Sequence, residues 1–169
     1  MATGRSNQLN KQIGEYLVAC ELARHELLVA TFSGNVPYFD LLATDSKGTS
    51  IPIQVKTIRG GSWQFAINKF VDVSFQGKKQ ILGSKITPQI PHLLCVLVLA
   101  ANSYGKDQFF VLEWEELRDI AVKSYSRWLE TKGGVRPRNP DSLHCSVSPD
   151  ELEEFADKWG RITERFQPS

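Results

Sequence analysis

The clearest periodicity in the chain lies near its start. Ile13, Tyr16, Leu17, Cys20, Ala23 and Leu27 recur at the three- and four-residue spacing of one helix face, which predicts a helix over about 8–26. Val18, Ala19 and Leu22 form a second apolar group, and the polar side with Gly14, Glu21 and His25 is narrow, so this helix is expected to be largely buried. Three strand-like runs follow at 27–32, 38–44 and 50–58. They are punctuated by Ser33-Gly34-Asn35, Asp45-Ser46-Lys47-Gly48 and Gly60-Gly61, turn compositions that predict an antiparallel meander. Residues 63–90 are basic and aromatic, without a clear period. The continuous apolar run 93–100 reads as a central strand, and 108–112 as another. Leu117, Ile120, Ala121, Tyr125 and Trp128 give a helix over 114–129. A Gly/Pro-rich loop at 131–143 leads to Ser148-Pro149-Asp150-Glu151, a capping box with proline at the first helical position, which opens a last helix to about 161.

This order predicts an α/β fold, with a mixed central sheet flanked by helices. One domain is expected over 1–169, with a core of about 8–113 and an added helical region of about 114–165. No apolar run approaches the ~18–20 residues of a membrane span. Residues 1–11 are polar and lack a signal-peptide hydrophobic segment, so a cytoplasmic protein is expected. The three cysteines, Cys20, Cys95 and Cys145, are odd in number and far apart. They read as reduced core thiols, not a disulfide framework. His25, His92 and His144 lack zinc-site spacing.

Charge changes the picture. The net charge is only +1, which excludes a uniform polycation. Yet residues 46–106 hold eight basic residues and a single acid, Asp72, a net of +7 offset by −6 elsewhere. A basic segment of this kind attracts polyanions.

Four polar residues interrupt the apolar pattern. In the third strand Ile51, Ile53 and Val55 point one way, so Gln54 and Lys56 share the opposite face. Asp40 stands alone in the apolar run of the second strand, where an unpaired carboxylate is costly to bury. A hairpin folded about residues 46–47 sets Asp40 opposite Gln54. Glu15 falls beside Val18, Ala19 and Leu22 on the helical wheel, so the first helix can lay it over the same sheet end. An acid, an amide oxygen and a lysine converging there suit Mg²⁺, with the lysine steadying charge on a phosphate.

These residues resemble the PD-(D/E)XK nuclease superfamily, and the restriction-endonuclease-like fold is the one implied. The matching residues are Glu15 in Gly14-Glu15-Tyr16-Leu17-Val18-Ala19, Asp40 in Tyr38-Phe39-Asp40-Leu41, and Gln54-Val55-Lys56. The D…QxK form is similar to the Mrr-like branch of restriction endonucleases, and the helix-borne Glu is similar to that of archaeal Holliday-junction resolvases. Two departures stand out: Pro37 lies three residues ahead of Asp40, and Gln54 replaces the usual second acid. The resemblance implies Mg²⁺- or Mn²⁺-dependent hydrolysis of DNA, duplex or branched. Asp40, Gln54, the Val55 carbonyl and Glu15 would hold metal, while Lys56 orients water and steadies the phosphate. Arg59, Lys69, Lys78, Lys79, Lys85, Arg136 and Arg138 would contact the DNA backbone. Trp63 and Phe65 could stack on bases, although large aromatics more often belong to the core. Cutting both strands would call for two sites, hence a homodimer.

Two other functions compete. One is a catalytically weak or inactive nucleic-acid-binding protein on the same fold, favoured by Gln54. The other is an interaction domain using Trp114, Trp128 and Trp159, although tryptophans at this helical spacing more often belong to the core.

Overall fold

The computed structural model describes residues 4–32 and 36–167, so the turn expected at 33–35 lies outside the described residues. Helix α1 (Gly4–Arg24) leads into a meander of β1 (Leu28–Thr31), β2 (Leu41–Thr44) and β3 (Ser50–Ile58). A long excursion follows: β4 (Trp63–Ala66), a 3-10 turn at Ile67–Lys69, then β5 (Val71–Gln76) and β6 (Lys79–Lys85). The chain returns through β7 (Leu94–Leu99) and β8 (Gln108–Glu113) to helix α2 (Trp114–Thr131) and strand β9 (His144–Val147). The central sheet runs β1-β2-β3-β7-β8. The β3–β7 pair is parallel and the others are antiparallel, which makes the mixed sheet that the sequence predicts.

The sheet separates two apolar layers. On one face Val18 and Leu22 of α1 meet Leu41, Ile53, Val55, Val96 and Val98. On the other, Cys95, Leu97 and Leu112 meet Trp63, Leu117, Ala121 and Tyr125. Strand β7 sends alternate residues into each layer, which is why 93–100 reads as an unbroken apolar run.

Helix α1 turns a different face inward from the one its strongest periodicity indicates. Gly14, Val18 and Leu22 are buried, whereas Tyr16 is 60% exposed and Cys20 is exposed. The determinant is Gly14. The Thr57 hydroxyl of β3 occupies the space where a Cβ at residue 14 would sit. Only the face bearing this glycine can approach the sheet so closely. Cys20 is therefore not a core thiol, while Cys95 and Cys145 are buried.

The C-terminal part also departs from expectation. The capping box is present, but it opens a 3-10 helix, Pro149–Phe155, and the α-helical turn α3 is confined to Gly160–Thr163. The break comes where Ala156 bridges to Phe110, the Asp157 N–H donates to the Phe109 carbonyl, and Asp157 takes a left-handed φ of 52°. Pairing with the sheet edge there competes with helix continuation. Strand β9, unforeseen in the sequence, pairs with β4 and ties the C-terminal region into the second core layer. Among the described residues no helix is long and apolar enough to cross a membrane.

Candidate active site

The site forms where β2 stops and β3 continues. The ladder between them ends at Leu41 opposite Ile53, and the Asp40 N–H adds one more bond, to the Ile53 carbonyl at 2.9 Å. The hairpin therefore has the register expected for an Asp40–Gln54 juxtaposition. Asp40 itself lies in a bend one residue ahead of β2, not inside the strand. Tyr38, with a left-handed φ of 76°, turns the chain just before it.

From this bend Asp40 caps the open edge of β3. Its Oδ2 accepts the Val55 N–H at 2.9 Å. The N–H and C=O of one strand residue lean to the same side, so the Val55 carbonyl faces the same edge, past the end of the β2 ladder. Asp40 Oδ1 lies 3.1 Å from the Lys11 ammonium, which is also 3.5 Å from Glu15 Oε1. Glu15 and Asp40 are mostly buried, with side chains 19% and 14% exposed. Burial pushes the Glu15 carboxyl above its ordinary value, against the pull of Lys11. The hydrogen bond to Asp40 holds the Lys11 ammonium above the usual lysine value.

Gln54 and Lys56 flank Val55, the residue that Asp40 grips. The Cys95 thiol reaches the Gln54 amide oxygen at 3.9 Å, across the β3–β7 pair. The Lys56 ammonium rests on the Phe65 ring, 4.3 Å from its centroid. Burial, reinforced by the charge of Lys69, pulls Lys56 below its ordinary value. Trp63 is fully buried, and its indole N–H donates to the Lys56 carbonyl at 2.9 Å. That location makes Trp63 a core residue that braces the strand, not a base-stacking one.

The donors at this edge are oxygens: Glu15, Asp40 Oδ1 and the Val55 carbonyl; the Gln54 amide lies on the other face of β3, against Cys95. This chemistry fits a hard divalent cation. Among the described residues no cluster of three or more His, Cys, Asp or Glu side chains is present, so such a cation would draw on two carboxylates, a backbone carbonyl and water. Lys11 already places one positive charge between the two acids. Its role escaped the sequence reading, although its i, i+4 spacing to Glu15 is visible there.

Of the expected nucleic-acid contacts, Arg59, Lys69, Lys78, Lys79 and Arg138 are exposed. Lys85 pairs with Asp119 at 3.1 Å. Arg136 is a half-buried, packed strut. It donates to the His144 carbonyl at 2.6 Å and to the Tyr125 hydroxyl at 3.3 Å, with its guanidinium 4.9 Å from the Trp128 ring centroid. The Gly/Pro-rich loop at 131–143 is thereby pinned.

A strand carrying Gln54-Val55-Lys56, an aspartate at the end of its neighbour and a glutamate on the covering helix are now placed in one fold. That fold resembles a bacterial homing endonuclease, I-Ssp6803I. The similarity covers 95% of each chain with a TM-score of 0.52, at 11% sequence identity. It therefore extends through the C-terminal region as well as the sheet. No protein-family model matches the sequence, and no curated protein matches it.

Proposed function

We propose that this protein is a metal-dependent endonuclease of the PD-(D/E)XK type that hydrolyses DNA phosphodiester bonds. The observation that carries the reading is Asp40, which caps Val55 with one carboxylate oxygen and turns the other toward Glu15 and Lys11. Glu15, Asp40 and the Val55 carbonyl would hold Mg²⁺ or Mn²⁺. When bound, the ion would supply Lewis-acid stabilisation of a phosphate and lower the pKa of water. The similarity to an endonuclease fold supports the same reaction class by analogy.

Each side chain then has a distinct task. Asp40 fixes the edge and supplies negative charge. Gln54 turns its neutral oxygen to Cys95 on the other face of β3. Lys56, held on Phe65 and partly desolvated, is poised to exchange a proton with an attacking water and to steady the phosphate.

The direct test is incubation with plasmid and branched DNA in Mg²⁺ or Mn²⁺. Lys56→Met is expected to lower the cleavage rate by about 10²–10⁴-fold and to flatten its rise with pH. Its effect on stability has the opposite sign. Folding lowers the Lys56 pKa, so at neutral pH the fold bears a penalty for keeping the ammonium charged. That penalty fades as pH rises through the folded value toward 10.5. Lys56→Met is therefore expected to raise the thermal midpoint at pH 7, with the gain shrinking in alkali. A variant both less stable and fully active would sink the assignment.

Lys11→Met tests the metal site separately. Removing a positive charge 3.1 Å from Asp40 is expected to tighten Mn²⁺ binding by about tenfold in calorimetric titration. Unchanged or weaker binding would count against the cation site.

The neutral Gln54 favours a second reading, a nucleic-acid-binding protein with little or no catalysis. DNA binding without cleavage in either metal, unchanged in Lys56→Met, is its signature.

A further inference from the structure

Resting on the DNA-directed reading above, we infer that the β5–β6 hairpin is a two-stranded ribbon that enters the major groove of duplex DNA and reads base edges. The hairpin forms a sheet of its own, apart from the central one. At about 3.3 Å per residue it extends roughly 20 Å. The major groove, about 12 Å wide, admits a two-stranded ribbon.

The ribbon has one packed and one open face. Val73 and Leu82 are directly paired and pack against the second core layer. Ser74 is opposite Ile81 and Gln76 is opposite Lys79, and all four are exposed. Those residues supply a hydroxyl, an amide, an apolar contact and a cation, the last on a Lys79 stem that lies along Gly134. An amide can bond the adenine edge bidentately, and an aliphatic side chain suits the thymine methyl. The tip carries Lys78, also exposed, which suits a phosphate.

The ribbon is held firmly. Gln80 is almost fully buried, and its amide nitrogen donates to the carbonyls of Pro140 and Ser142 at 2.6 and 3.1 Å. The Tyr125 hydroxyl donates to its amide oxygen at 2.7 Å, and the Gln80 backbone N–H donates to the Gly134 carbonyl at 2.9 Å. A ribbon clamped in this way loses little freedom on binding. Its first strand begins two residues after Lys69, whose charge acts on Lys56. The ribbon and the strand that bears Lys56 are thus parts of one continuous stretch of chain, from Ser50 to Lys85.

Selection of binding sites from a randomised duplex library separates the contributions. Gln76→Ala is expected to relax preference at one or two adjacent base pairs. Its affinity for the selected site falls about 5- to 150-fold, and its affinity for random duplex is unchanged. Lys78→Ala is expected to weaken all sequences alike and to reduce the salt slope by about one. Both side chains are exposed, so neither change threatens folding. The inference is overturned if Gln76→Ala and Ser74→Ala keep the wild-type preference, or if wild type binds duplex DNA with no preference at all. Equal binding of duplex RNA would also overturn it, because the A-form major groove is too narrow to read. Wild type that binds no DNA would instead remove the DNA-directed reading itself.

Discussion

Asp40→Asn is expected to lower DNA cleavage by at least about 10³-fold while leaving the protein folded. The substitution separates two roles of one side chain. An asparagine oxygen can still accept the Val55 N–H, so the cap on the open edge of β3 survives. The negative charge is lost, and with it both the metal contact and the partner of Lys11. Losing that partly exposed ion pair alters stability by no more than about 1 kcal/mol. Asp40→Ala removes the acceptor as well and leaves the Val55 N–H unsatisfied, for a further loss of about 1–3 kcal/mol. The pair of variants should therefore match in lost cleavage and lost Mn²⁺ affinity but differ in thermal midpoint. Metal-free DNA binding should hold or improve, because a carboxylate near the phosphate has gone. An Asp40→Asn protein that cleaves at the wild-type rate would refute the assigned role.

Much of this arrangement could be read from the chain because it rests on short-range geometry. The Asp45–Gly48 turn fixes the hairpin register, and the register alone brings Asp40 to Gln54. The alternation in β3 puts Gln54 and Lys56 on one face and Ile53 and Val55 on the other. What could not be read depends on contacts distant in sequence. Strand β9 is defined by its pairing with β4, about 80 residues earlier, and four residues of His-Cys-Ser-Val carry no period long enough to announce it. Gln80 looks like any polar residue of a hairpin, yet it is a buried hub because Tyr125, Pro140 and Ser142 converge on it. Arg136 looks like a loop cation until Trp128 and the His144 carbonyl are placed beside it.

Helix α1 shows how a period can mislead. Its stripe at heptad-like spacing is the most regular apolar pattern in the chain, and Tyr16 and Cys20 from that stripe are exposed. The buried face has fewer large side chains, but it has the glycine. Close approach outweighed apolar count because helix and sheet can share a buried boundary only where their backbones fit. This choice of face has a functional consequence, since it brings Lys11 and Glu15 to Asp40.

Gly14→Ala is accordingly expected to destabilise the protein by about 2–4 kcal/mol and to abolish cleavage. In a free helix the same change is favourable by about 1 kcal/mol, so the sign of the effect is itself informative. A Cβ on residue 14 would lie 1.6 Å from the Thr57 Oγ1 and 2.8 Å from the Thr57 Cβ. Turning the Thr57 side chain cannot relieve the second contact, because that Cβ is fixed by the β3 backbone. The helix must lift from the sheet, carrying Lys11 and Glu15 away from Asp40. Thr57→Gly removes both offending atoms, so in the double variant the penalty should shrink, with a coupling of about 1–3 kcal/mol in a double-mutant cycle. Thr57→Ala removes only the hydroxyl and the branch methyl, and should rescue less. Among the described residues the Thr57 hydroxyl has no hydrogen-bond partner, so its loss adds no unpaired group of its own. If Gly14→Ala proves as stable as wild type, α1 does not lie on β3 through this face. The Lys11–Glu15–Asp40 cluster would then fall with it, since Lys11 and Glu15 lie within one turn of Gly14 on the same helix.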